Sequence, residues 1–294
     1  EVISEGLRQN VDVMIYAHKH FTYKQMRALK DGLLLGFDMQ PFAKANLSYE
    51  QIRNEIENMI FVRGGKYKSL FLNKEREVCN LEVCKYPITQ NMWIEIMGNN
   101  PSYHIGGRKP VEQISWWDAL EFCNEMSKKY HLEPVYNITY DNFDNPILKI
   151  NQIGEKAVEV NKADFKKTEG FRLPTEIEWE WFARGGEVAK EQGNFDYDYS
   201  GSDNIDEVAW YWGNSKEGSQ DVGMKKANQL GLYDCSGNVW EWCFKTGDRY
   251  MLKGGSFYDF NEFCLVNNRD RDTAPNRKEG NIGFRIVRTV KRIF

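Results

Sequence analysis

Two segments restrict the fold of this chain most: "ISWWDALEFCNEM" from Ile114 and "RLPTEIEWEWFARGG" from Arg172, each carrying its own start signal for a helix. Ser115 with Asp118, and Thr175 with Glu178, have the spacing of reciprocal caps, in which a hydroxyl and a carboxylate satisfy the backbone N–H groups of the first turn. Behind the first cap, Ala119, Leu120, Phe122, Cys123 and Met126 fall on one helical face, and behind the second, Gly185 and Gly186 end the run. Helices of this kind set among short strand-like runs and Trp-rich turns predict an α+β domain from about residue 58 to 294. Between them, the stretch from Leu132 to Gly170 predicts a hairpin and a charged connection.

The first 57 residues have a different texture. Writing the chain from Glu5 above the chain from Asp31 exposes a repeat of period 26, with Gly6 on Gly32, Leu7 on Leu33, Asp12 on Asp38, Tyr16 on Phe42, Tyr23 on Tyr49 and Arg27 on Arg53. In each unit Thr22 or Ser48 stands where an N-cap belongs, ahead of Gln25, Met26 and Leu29 or Gln51, Ile52 and Ile56. Because Gly32 and Gly36 weaken a continuous helix, we expect short helices joined by turns. Two units are few for a self-standing array, so the repeat region is expected to dock on the α+β domain. His18 and His20 lie here, but they match Lys44 and Asn46 one period on, which argues against a repeated metal ligand.

Composition excludes several function classes. With 39 basic and 43 acidic residues, the formal charge of -4 gives no broad attraction to nucleic acid or acidic lipid. No apolar run approaches the roughly 18 residues that a membrane span requires. Nine Trp, seventeen Phe and fifteen Tyr predict a large aromatic core. Cys79, Cys84, Cys123, Cys235, Cys243 and Cys264 form no CxxC pair and read as small buried hydrophobes, with Cys79 to Cys84 and Cys243 to Cys264 bridges as the alternatives. The segment "YDCSGNVWEW" could place Asp234 and Glu241 carboxylates, with the carbonyls of Gly237 and Val239, around a hard cation; its competing reading is a tight turn that packs Trp240 and Trp242.

Six stretches in a fixed order, "FVRGGKY", "YPITQNMWIEIMGNNPS", "PVEQISWWDALEFCN", "RLPTEIEWEWFARGG", "GLYDCSGNVWEWC" and "LKGGSF…NIGFRIV", resemble the formylglycine-generating-enzyme and sulfatase-modifying-factor family. The resemblance spans about four fifths of the chain and implies a divergent C-type lectin fold. It also implies calcium at Asp234, Gly237, Val239 and Glu241, as the one cofactor to be considered. The oxidases of the family use two cysteines after the Gly-Gly-Ser turn. Aligned from that turn, the first cysteine position falls on Asp259 and the second on Cys264, leaving one thiol where a copper-binding pair is needed. The four histidines supply no H-x3-H-x-E set for the iron-dependent branch, and no Ser-His-Asp set, phosphate loop or zinc spacing is present. The expectation is therefore a protein that is not an enzyme and requires no cofactor.

The stretch from Gly254 to Asp272, "GGSFYDFNEFCLVNNRDRD", obeys neither the strand nor the helix period. With the frame that closes at about residue 285, it resembles the variable region of diversity-generating-retroelement proteins, including those of treponemes, in which adenines of asparagine-type codons are randomised. Such codons never yield Lys, Glu, Gln, Met or Trp, and across Tyr258 to Asp272 only Glu262 belongs to that excluded set. The resemblance implies a ligand-binding face made by Tyr258, Asp259, Phe260, Phe263, Leu265, Val266, Asn268, Asp270, Arg271 and Asp272. Aromatic anchors and short polar contacts divide the work of a paratope in this way. It further implies a protein or cell-surface ligand, display at a bacterial cell surface, and a lipid anchor on a longer precursor, since the chain opens on Glu1 rather than Met. The alternatives are a divergent formylglycine-generating oxidase and a structural module with one fixed partner.

Overall fold

The structure, a computed structural model, describes residues 1–34, 39–44, 47–48, 52, 58–215, 218–246, 249–271 and 273–290. In the N-terminal region Thr22 caps the Tyr23–Leu34 helix, its Oγ1 accepting the Gln25 N–H at 3.2 Å while Gln25 Oε1 accepts the Thr22 N–H at 2.9 Å. That helix continues through Gly32, so the first unit holds a longer helix than the glycine spacing predicts. The glycines serve close packing instead. A Cβ on Gly6 would lie 3.0 Å from Val13, and one on Gly32 would lie 2.5 Å from Met39, the equivalent neighbour one period on. Phe42, the counterpart of Tyr16, stands edge-on to Tyr130 at 5.9 Å and takes the Arg288 guanidinium over its ring at 4.9 Å, which docks the repeat region on the rest of the chain. Of the helix expected after Ser48, Gln51 and Ile56 lie outside the described residues, whereas Ile52 is buried and donates its N–H to Ser48.

Among the described residues, twelve strands make four small sheets. β1 (Met59–Val62), β4 (Leu81–Cys84) and β12 (Val287–Thr289) make one antiparallel sheet with β4 in the middle. β2 (Gly65–Ser69) and β3 (Lys74–Val78) form a hairpin, and β5 (Tyr136–Tyr140), β6 (Pro146–Ile150) and β7 (Val158–Glu159) form the expected hairpin with a short third strand. The last sheet has the order β10 (Arg269–Arg271), β9 (Arg249–Lys253), β8 (Trp240–Thr246) and β11 (Ile282–Gly283), with β11 parallel to β8.

Both predicted capping boxes are present, at Ser115 with Asp118 for the Trp116–Lys129 helix and at Thr175 with Glu178 for the Glu176–Ala183 helix. The second helix stops at Gly185, which has φ 83°. These helices pack Trp116, Phe122, Trp179 and Phe182 into the interior against β8, β9 and Phe284. Buried ion pairs tie segments together, locally at Arg172 with Glu178 at 2.7 Å, and across the chain at Arg285 with Glu241 at 2.6 Å and Arg288 with Glu82, register partners on β12 and β4. A pair of this kind adds little net stability over an apolar contact, but losing one partner strands a buried charge, so these pairs specify which segments meet.

Candidate ligand-binding face

The segment without a period is the connection between two neighbouring strands. It leaves β9 after Lys253 and returns in β10 at Arg269, which is the register partner of Lys253. Gly254 and Gly255 open the excursion with φ of 93° and 70°. Side chains there would also collide, since a Cβ on Gly254 would lie 2.9 Å from the Cys235 carbonyl and one on Gly255 would lie 2.8 Å from Cys264 Sγ.

Main-chain bonds hold the excursion to the scaffold along its length. Gly237 donates to the Gly254 carbonyl, Phe257 to Asn238, Trp212 to the Asp259 carbonyl and Val266 to Asp198, all between 2.8 and 2.9 Å. Ser236 Oγ donates to the Cys264 carbonyl at 2.9 Å. From below, the fully buried Lys253 Nζ donates to the carbonyls of Val266 at 3.1 Å and Asn268 at 2.5 Å, and lies 5.1 Å from the Trp179 ring centre. Burial brings the Lys253 ammonium down to about 8, and Glu176 works against that fall.

With its backbone held, the loop projects Tyr258, Phe260 and Phe263, which are 67%, 57% and 41% exposed. They do not stand alone. Rings succeed one another across the surface in the order Tyr103, His104, Phe257, Tyr258, Trp212, Phe260, with successive centroids 5.0, 5.1, 6.3, 6.1 and 6.3 Å apart. Three of these rings, Tyr103, Tyr258 and Phe260, are largely exposed, and Trp212 is partly so. Tyr103, His104 and Trp212 were outside the sequence-based set because they come from segments more than 40 residues away from the loop; the aromatic runs "NPSYH" and "WYWG" were the only local signal.

Several residues expected on this face serve the scaffold instead. Val266 is buried in the cluster that holds Trp179, Trp181 and Met251, and Leu265 packs half-buried beside Tyr199, Val208 and Cys264. Asp259 is half-buried and accepts the Ser256 hydroxyl, and burial raises its carboxyl above the usual range. Asn268 turns back, donating to the Glu262 carbonyl at 2.9 Å and accepting the Arg269 N–H at 2.6 Å. Asp270 pairs with Arg277 at 3.1 Å and Thr273 at 3.2 Å. Arg271 lies in β10 opposite Met251, and Asp272 is outside the described residues. The exposed face is therefore aromatic at its centre, and its acids are second to the packing.

The donor set proposed for calcium does not fit that ion. Both oxygens of Glu241 accept from Arg285, at 2.6 to 2.9 Å, and Oε2 also accepts the Trp179 indole N–H at 2.7 Å. Asp234 Oδ2 accepts the Gly223 N–H at 2.8 Å, and burial lifts this carboxyl to about 6. One carboxylate is already neutralised by a guanidinium that occupies both of its oxygens, which leaves no pair of open carboxylates for a hard cation. The alternative reading, a tight turn that buries Trp240 and Trp242, is the arrangement found, with Asp234 and Asn238 at φ 55° and 63°. Among the described residues no group of three or more His, Cys, Asp or Glu could hold a metal.

All six cysteines are free, so neither bridge forms. Cys264 is fully buried, and desolvation, with Asp259 nearby, raises its thiol to about 12. A thiol so disposed is the opposite of the low-pKa, accessible thiolate of a redox nucleophile.

Lectin-like connectivity around a strand-to-strand loop, opened by the Gly-Gly-Ser turn and closed at Arg269, with the buried Arg285 behind it, defines a C-type-lectin-like scaffold of the formylglycine-generating-enzyme type. The sulfatase-modifying factor enzyme 1-like domain matches residues 44–290, and the chain belongs to that family. The solved structure of Treponema denticola variable protein 1 superposes with a TM-score of 0.63 at 30% identity, covering 79% of this chain and 95% of that one. Chaperone protein LppX of Paenibacillus barcinonensis is 37% identical over 209 residues, 64% of this chain and 71% of its own length. Inactive C-alpha-formylglycine-generating enzyme 2 of Mus musculus is 33% identical over 138 residues, and the match spans 42% of this chain and 44% of its own length. Among the described residues, no helix is long and apolar enough to cross a membrane.

Proposed function

We propose that this protein is a non-catalytic ligand-binding protein whose binding face is the 254–271 excursion, diversified by a retroelement and displayed at a bacterial cell surface. One observation carries the reading: the excursion is fixed by main-chain bonds and a buried lysine, while its exposed side chains are large aromatics continuous with Trp212. Exposed aromatics at this density form an apolar patch of the kind that marks an interaction site. The likeness to a treponeme variable protein supports the retroelement, and the similarity to an inactive family member supports the absence of catalysis.

The reading is tested by sequencing the locus from several isolates. Differences are expected at Tyr258, Phe260, Asn261, Phe263 and Asn267, with Gly254, Gly255, Cys264, Val266 and Arg269 constant. Uniform sequence, or change scattered over the whole chain, would remove it. An assay for oxidation of a cysteine in a sulfatase-type peptide addresses the rival oxidase; turnover would restore that reading.

A further inference from the structure

The aromatic band borders a cleft of about 460 Å³, lined by His104, Gly218, Phe257, Tyr258 and the turn at residues 279–281. Behind its floor lies Glu112, which belongs to the "PVEQ" stretch but to which the sequence gives no role. Its side chain is fully buried, and Oε1 accepts the His104 N–H at 2.6 Å and lies 3.2 Å from His104 Nδ1. Oε2 has no hydrogen-bond partner. It is directed at the cleft turn, because a Cβ on Gly280 would lie 3.6 Å from Oε2 and 3.3 Å from His104 Cε1.

A buried carboxylate oxygen without a donor is costly, and a donor supplied from the cleft would satisfy it. Among the described residues no lysine or arginine pairs with Glu112; the neighbouring Glu279 is held in a fork by Arg277, at 2.8 and 2.9 Å. The cleft thus sets the His104–Glu112 pair, with Oε2 still unpartnered, behind a wall made by the rings of His104, Phe257 and Tyr258, edge-on to one another. Ring faces and a carboxylate attract the same kind of group, a weakly hydrated cation on an apolar stem.

We propose that this cleft receives a basic side chain, lysine or arginine, from a protein partner, with the unpartnered Glu112 Oε2 as its acceptor and Tyr258 and Phe257 as the wall. The proposal rests on the binding-face reading and specifies what that face recognises. Tyr258 belongs to the loop, whereas Glu112, His104 and Gly280 belong to the scaffold. A basic anchor would then be a constant element of recognition beside a changing one.

The test uses the full chain, titrated with N-acetyl-arginine methylamide and N-acetyl-lysine methylamide and followed by NMR shifts of His104, Phe257 and Gly280. Saturable shifts are expected with both probes. The neutral isostere N-acetyl-citrulline methylamide should bind at least about fivefold more weakly, in line with the charge contribution at such sites. Glu112→Gln should weaken arginine binding by a similar factor at unchanged fold. Should that variant unfold, Gly280→Val, which fills the cleft from its rim, should abolish the shifts while keeping the spectrum of the remaining core. Equal binding of citrulline and arginine, no saturable shift, or saturation by a methyl glycoside in place of the amines would each overturn the proposal. None of these results touches the isolate comparison, and a uniform locus would remove the variable-surface reading while leaving amine binding intact.

Discussion

Replacing Asp234 by Asn separates two accounts of the "YDCSGNVWEW" turn. Burial lifts the Asp234 carboxyl from 3.8 to about 6, opposed by the Gly223 N–H and Arg285 and assisted by Glu241. A carboxyl whose folded value is raised contributes stability that is fully present below its unfolded value and is lost as pH rises through the folded value, here from about 4 to about 6. A displacement of about two pH units corresponds to roughly 3 kcal/mol, present as a penalty at neutral pH. Asn retains the oxygen that accepts from Gly223 and tolerates the φ of 55° at this position. It removes the charge. The variant is therefore expected to be more stable than the parent by about 1–3 kcal/mol near pH 7.5, a rise in Tm of a few degrees for a chain of this size, and to lose that advantage near pH 4.5. Urea denaturation of both proteins across this range measures the difference directly. Calcium or a chelator should leave the parent Tm where it is. A variant that is less stable at neutral pH, or a parent whose Tm rises with calcium, would refute the buried-acid argument and reinstate the metal.

Lys253→Met should lower stability by about 2 kcal/mol, because two carbonyls lose a charged donor, and hydrogen exchange at residues 266–268 should quicken. Gly255→Ala meets both a φ of 70° and a contact at 2.8 Å, so a loss of about 2 kcal/mol or more is expected by denaturant unfolding; a neutral result would show that the turn can relax. Phe260→Ser should change stability by no more than about 0.5 kcal/mol and Phe263→Ser by no more than about 1 kcal/mol, since these side chains are 57% and 41% exposed, whereas Val266→Ser should cost about 2–3 kcal/mol. If Val266 tolerates Ser as well as Phe260 does, the division of the loop into scaffold and face is wrong.

The sequence exposed what is local. Ser115 with Asp118 and Thr175 with Glu178 announce their helices because a capping box is written within four residues. Thr22 does the same for the first repeat, although the helix it opens passes through Gly32, where packing against Met39 outweighs propensity. Pairings across the chain left no local mark. Nothing near Glu241 shows that Arg285, 44 residues on, cancels its charge, so a carboxylate that looked like a ligand proved to be half of an ion pair. Val266 was misplaced for a related reason: an irregular loop can still send one side chain inward, and only the neighbouring Trp179 and Met251 show which one. The aromatic face could be anticipated at Tyr258, Phe260 and Phe263, but its other half, Tyr103, His104 and Trp212, is assembled by tertiary structure alone.

On the loop's side, the bonds that seat it on its scaffold are made by peptide groups, which every residue except proline possesses in full. Folding is therefore largely indifferent to the identity of the side chains at Tyr258 and Phe260, and less so at Phe263. For an evolving population, such indifference means that most alterations at these sites yield a soluble, folded molecule, to be judged on what it touches. On the proposed function, recognition and stability, which in most binding sites compete for the same residues, would be assigned to different atoms of the same chain.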